Sequence, residues 1–200
     1  MTHRRLVPLL VPLVLVIVLL PGCWVRVTEP LSDPDKAEPD EGLLGKWSDD
    51  LEIDIPAVKG NPKWLMRAKE SRKEVNETDR NFWFFTTKIG KHTYMTFYVE
   101  ALGDSTPADF SKEGAFKEWN EKKDRAYCIY RYVLDRDKLT VDGGSEVAVK
   151  KLMQVEGIGQ SERTGYFKTP KDWLAKYLKE SGPETIYDGT NVQELRRAKK

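Results

Sequence analysis

The stretch FWFFTTKIGKHTYMTFYVEA, Phe82 to Ala101, decides the fold. Two runs rich in aromatic and β-branched residues, 82–89 and 93–101, flank Gly90-Lys91-His92, and the glycine supplies the left-handed position that a short hairpin connection needs. Side chains alternate along a strand, so Phe82 and Phe84 take one face while Trp83 and Phe85 take the other. A strand apolar on both faces is covered twice; it is not a half-solvated edge.

Working outward, Leu51, Ile53 and Ile55 alternate with Glu52 and Asp54, a strand with one dry face, and a short strand carrying Trp47 precedes it. KWLMRAKES (63–71) is a weaker strand. Downstream, DFSKEGAFKEWNEKKDR (109–125) reads as a polar loop with a short helix anchored by Phe116 and Trp119, and AYCIYRYVL (126–134) with KLTVD (138–142) forms a second hairpin. Two helices follow. SEVAVKKLMQVE puts Ala148, Leu152 and Val155 on one stripe, with Val149 and Met153 beside it. In the second, Thr169 serves as cap, Pro170 suits the first helical position, Asp172 favours the N-terminal dipole, and Trp173/Tyr177 and Leu174/Leu178 pair before Gly182-Pro183 ends it. NVQELRRA (191–198) supplies a last strand. Strands early and helices late predict a mainly β (α+β) chain, an antiparallel barrel or half-barrel with two helices in the C-terminal third.

The N-terminal region is of another kind. Thr2 to Arg5 form a basic stub, Leu6 to Leu20 an apolar run broken by Pro8 and Pro12, and Pro21-Gly22 a turn before Cys23. That is the layout of a secretory signal, and fifteen apolar residues are short for about 30 Å of hydrocarbon at roughly 1.5 Å per residue. An uncleaved anchor is the alternative, since the uncharged stretch runs on to Val25. Residues 23–42 hold Pro30, Pro34 and Pro39 among six acids, a composition that predicts an extended tether, with the folded domain beginning near Leu43. The expected division is therefore 1–22 signal, 23–42 tether and 43–200 a single β-rich domain.

Charge and composition exclude several classes. The chain carries a formal net charge of +1, and loss of Arg4 and Arg5 with the signal takes it to −1, so nothing suggests a nucleic-acid partner. With two cysteines in all, and Cys23 in the signal region, Cys128 has no partner for an intramolecular disulfide. Beyond His3 the one imidazole is His92, in the expected turn, and any Ser-His-Asp or Cys-His relay would need it; a solvated turn residue is the simpler reading. Cys128 reads as a small core residue. One histidine and one cysteine without close spacing make no zinc site, and Gly157-Ile158-Gly159 lacks the third glycine of a dinucleotide loop. Asp49-Asp50 and Glu52-Asp54 have the look of paired carboxylates, yet alternating acids on a strand are ordinarily its wet face. Asn76-Glu77-Thr78 spells a glycosylation sequon, without meaning in a typical bacterium. No catalytic residues, metal or cofactor are expected.

Two resemblances add to this reading. Leu20-Pro21-Gly22-Cys23 resembles the lipobox of bacterial lipoproteins, which implies cleavage between Gly22 and Cys23 and acylation of Cys23; Pro21 departs from the usual small or β-branched residue. The residue after Cys23 is Trp24 and not the aspartate that retains some lipoproteins at the inner membrane, so the resemblance implies a cell-envelope protein held by acyl groups, the outer membrane favoured. Gly45-Lys46-Trp47 resembles the G-x-W signature of lipocalins, which implies a barrel with Trp47 at its base and a late basic residue, Arg196 or Arg197, packed over it. The chain departs from that family in lacking a T-D-Y motif and in placing two helices before the last strand. In a barrel of this kind Trp83, Phe85, Tyr94, Phe97 and Tyr98 are candidates to line a cavity for a small apolar or lipid-like ligand. The competing reading fills the barrel with those rings and assigns the domain a structural or assembly role against an envelope protein.

Overall fold

The computed structural model describes residues 25–71, 79–100, 106–123, 125–156, 158 and 168–199. Cys23 and Gly22, the sequon at Asn76, and the glycines of Gly157-Ile158-Gly159 lie outside them.

The strands are β1 (Arg26–Val27), β2 (Gly45–Lys46), β3 (Leu51–Asp54), β4 (Met66–Glu70), β5 (Arg80–Ile89), β6 (His92–Val99), β7 (Ala126–Asp135), β8 (Lys138–Asp142) and β9 (Val192–Arg196). The helices are α1 (Ala115–Glu121), α2 (Glu146–Val155) and α3 (Trp173–Ser181). All pairings are antiparallel: β2 to β9 lie side by side in chain order, and β1 adds to β7. The mainly β half-barrel expected from the sequence is the fold observed. The sheet curls until its ends touch: Trp47 bridges Arg197, and the Ala198 N–H donates to the Lys46 carbonyl at 3.0 Å.

The β5–β6 hairpin turns through Gly90 at φ 59°, the left-handed position anticipated for it. Register then sorts its rings. Phe84 lies opposite Phe97 on the inside of the curl, in a core with Trp47, Ile53, Met66, Tyr130, Tyr132, Leu139 and Leu195. Trp83, Phe85, Tyr94 and Tyr98 face outward into a second core, closed by Phe116 and Trp119 of α1, Val149 and Met153 of α2, and Leu174 and Leu178 of α3. The sheet is thus a wall between two apolar layers, which is why these strands are apolar on both faces.

The largest departure from expectation is at 25–42. This segment is not an extended tether; it is a strap packed onto the domain, which therefore starts by Val25 and not Leu43. Val25, Val27 and Leu31 are buried in the outer core, Val27 pairs with Tyr127, and the Val25 carbonyl accepts from the Ile129 N–H at 3.0 Å. The Ser32 hydroxyl meets that of Thr87 at 2.7 Å, the Thr86 hydroxyl donates to the Glu38 carbonyl at 2.7 Å, and Tyr132 donates to the Asp40 carboxylate at 2.7 Å. The segment's mean composition hid three apolar residues, and a face that β5–β7 left dry is what makes docking them favourable.

Both late helices sit differently from their sequence reading. In α2 the buried stripe runs through Val149 and Met153, leaving Val155 exposed. α3 begins at Trp173, after Asp172 at φ 60°, with no side-chain cap; 170–173 form a turn in which the Trp173 N–H donates to the Pro170 carbonyl. Aspartate tolerates the left-handed region, so the chain bends there before the helix starts. Gly182-Pro183 ends α3 as anticipated.

Candidate functional site

The residues singled out by sequence fall at the hairpin rings, the Trp47 corner and the scattered His, Cys and acidic positions, and the structure adds the clefts beside the strap.

The five rings do not line one cavity. Phe97 stands on the inner face, its ring tilted 31° against that of Phe84 with centres 4.8 Å apart, whereas Trp83, Phe85, Tyr94 and Tyr98 stand on the outer face. Those four are essentially inaccessible, at 0% or 1% exposure, and side chains occupy the space around them. Tyr98 makes edge contacts with Phe110, Phe116 and Trp119 at 4.9–5.8 Å, and Tyr94 lies 5.8 Å from Tyr187. Burial pushes the Tyr94 hydroxyl up to about 12, against the lowering effect of Arg131, and pushes Tyr98 well above its ordinary value. Trp83 donates its indole N–H to Asp109 at 3.2 Å. Burial works to raise the Asp109 carboxyl, but the Ser111 hydroxyl at 2.6 Å, the Ser111 N–H and the Trp83 indole together hold it below the usual carboxylate range.

At the Trp47 corner the indole N–H donates to the Leu43 carbonyl at 2.9 Å, and the Arg197 guanidinium lies 4.6 Å from the ring centre. Arg197 also donates to the Leu44 carbonyl at 2.7 Å and to the Gly42 carbonyl, so one side chain ties the end of the chain to the entry of β2. Gly45, at φ 124°, leaves room there: a Cβ would sit 2.9 Å from Arg197 Nη1. Of the two arginines named from sequence, Arg197 covers the ring, and Arg196 is exposed.

Two clefts border the strap. One of about 740 Å³ is lined by Leu31, Ser32, Asp40, Thr86, Thr87 and Tyr132, among others. The other, about 340 Å³, includes Glu29, Asp35, Trp64, Phe116, Arg125 and Tyr127 in its wall. Both carry hydroxyls and carboxylates along with carbon, and none of the five hairpin rings lines either.

His92 opens β6 opposite Ile89 and is half-buried. Cys128 is half-buried between Arg26 and Phe97. Asp49 and Asp50 make the left-handed turn before β3, and Asp54 receives both nitrogens of Arg67, at 3.0 and 2.5 Å. Among the described residues no three His, Cys, Asp or Glu side chains are grouped to hold a metal. Sequence reasoning missed Asp142, which is buried and fully engaged: its carboxylate accepts from Arg131 at 3.2 Å, from the Gly144 N–H at 2.9 Å and from the Gly189 N–H at 3.2 Å. Asp142-Gly143-Gly144 is the signature of a side chain closing its own turn, and that signal was open to reading. No protein-family model matches this chain, no curated protein is significantly similar to it, and no solved structure matches it.

Proposed function

We propose that the chain is an acylated lipoprotein of the bacterial envelope, held to the membrane through Cys23, whose lipocalin-like domain acts as a structural or assembly module and not as a carrier. The observation that carries this is that both cores are filled: Trp83, Phe85, Tyr94 and Tyr98 pack against the strap and three helices, and Phe97 packs among the buried rings of the inner core. Trp47 under Arg197, after Gly45, supports the lipocalin-like reading of the barrel, and the absence of an aspartate after Cys23 supports the outer membrane.

Two measurements test it. Cys23→Ala should leave an unprocessed precursor without acyl label; unchanged processing would remove the anchor. Native mass spectrometry of the protein from its own envelope, followed by organic extraction, should show the bare acylated chain. An apolar molecule at fixed stoichiometry would restore the carrier reading and name its ligand.

A further inference from the structure

Acylation at Cys23, which the inference takes from the reading above, has a geometric consequence set by where the packed chain begins. Val25 is buried, its carbonyl is held by the Ile129 N–H, and its side chain lies so close to Gly144 that a Cβ there would come within 2.8 Å of Val25 Cγ2. A single residue, Trp24, separates Val25 from Cys23, and the two steps between them reach about 7 Å even when fully extended. A domain on so short a leash cannot float free of the bilayer; it rests on it with the surface around Gly144 turned inward.

Two of the exposed apolar residues, Val147 and Val192, adjoin that surface, Val155 continues it along α2, and Val133 stands apart on β7. Four large hydrophobic side chains stand out among the described residues: Val147, Val155, Val192 and Val133. Val147 lies in the first turn of α2, which Ser145 caps immediately after Gly144, and is 77% exposed. Val155, 73% exposed, ends the same helix, and Val192, 42% exposed, follows Asn191, whose carbonyl accepts from the Gly143 N–H. At 100° per residue Val147 and Val155 flank Lys151 on the side of α2 opposite buried Val149 and Met153. Lys151 is exposed between them, placed to keep its ammonium group at the headgroups while the valines meet the acyl boundary; Lys150 beside it is paired with Glu146 at 2.5 Å.

We propose that the outer face of α2, with Val192, is a membrane-contact surface that fixes the orientation of the domain against the lipid bilayer. The docked strap makes this possible, because a flexible tether of the same length would have let the domain tumble.

The test uses the full acylated chain, Cys128→Ser, reconstituted in phosphatidylethanolamine/phosphatidylglycerol vesicles containing a lipid-borne quencher. A fluorophore is placed at Val155→Cys or, as control, at Asp137→Cys in the β7–β8 turn. Asp137 lies beyond the end of β7, and Asp135 alone is six residues from Ile129, about 20 Å along the strand. Quenching should be several-fold stronger at 155 than at 137. A flexible Gly/Ser insertion of about twelve residues before Val25, adding roughly 20 Å of reach, should abolish the difference while vesicle flotation persists. Equal quenching at both sites in a chain that floats overturns the contact surface and leaves the anchor intact. A chain whose mass shows no acyl group and which does not float overturns both.

Discussion

The two cores on either side of the sheet are built by different rules. The inner one is made mostly by strands: Ile53, Met66, Phe84, Phe97, Tyr130, Leu139 and Leu195 reach it by alternation along their own elements, and Leu43 and Trp47 join them from either side of β2. The outer one is assembled from distant pieces, with Val25, Val27 and Leu31 of the strap, Phe110 and Trp119 of the loop and α1, and Leu174 and Leu178 of α3 converging on Trp83 and Tyr98. The first is a property of local pattern, the second of a surface that needed covering.

Removing the strap tests that contrast most severely. Deleting 25–37 strips Val25, Val27 and Leu31 from the outer core; at about 1.5–3 kcal/mol for each fully buried side chain, the loss is on the order of 5 kcal/mol, comparable to a whole domain's stability. Urea unfolding should lose its cooperative transition, whereas an unchanged midpoint would return the segment to the status of a tether. Trp47→Ala and Trp119→Ala, one in each core, should each cost about 3–5 kcal/mol. Near-UV circular dichroism would show whether either core survives loss of the other, and a surviving outer core in Trp47→Ala would make the two layers independent. Arg197→Ala leaves the Leu44 and Gly42 carbonyls without their donor and should cost about 1–3 kcal/mol, while Arg196→Ala should stay within about 0.5 kcal/mol. Equal midpoints for the two variants would deny the Trp47 corner its role.

The smallest effect is pH-dependent. Asp109 is held below its ordinary range in the folded state, so its contribution is present above the unfolded value and disappears as pH falls through the folded one. Asp109→Asn should lower stability at neutral pH by about 1 kcal/mol, and the two unfolding curves should converge in acid. Parallel curves down to the lowest pH would show that the Trp83 and Ser111 bonds do not depend on the charge.

The same contrast explains what could be read from the sequence. The hairpin at 82–101, the β7–β8 pair and the alternation in β3 announce themselves through period two, and Gly45-Lys46-Trp47 pointed to a corner that Arg197 covers. The strap did not, because prolines and acids outnumber its three apolar residues and only the far-off outer face of β7 gives them a partner. Aromatic density without register groups Phe97 with Trp83, Phe85, Tyr94 and Tyr98; pairing with Phe84 puts it through the wall. Val155 was assigned to the core from helical spacing, which fixes a stripe's width but not which neighbour will bury it.

The β1–β7 pairing also imposes an order in time. Val27 pairs with Tyr127, a hundred residues downstream, so the first strand of the chain is among the last able to find its place. Until β7 has been delivered and turned back on β6, the residues around Val25 remain an open polypeptide. Docking of the strap is therefore a late step in folding, gated by the delivery of β7.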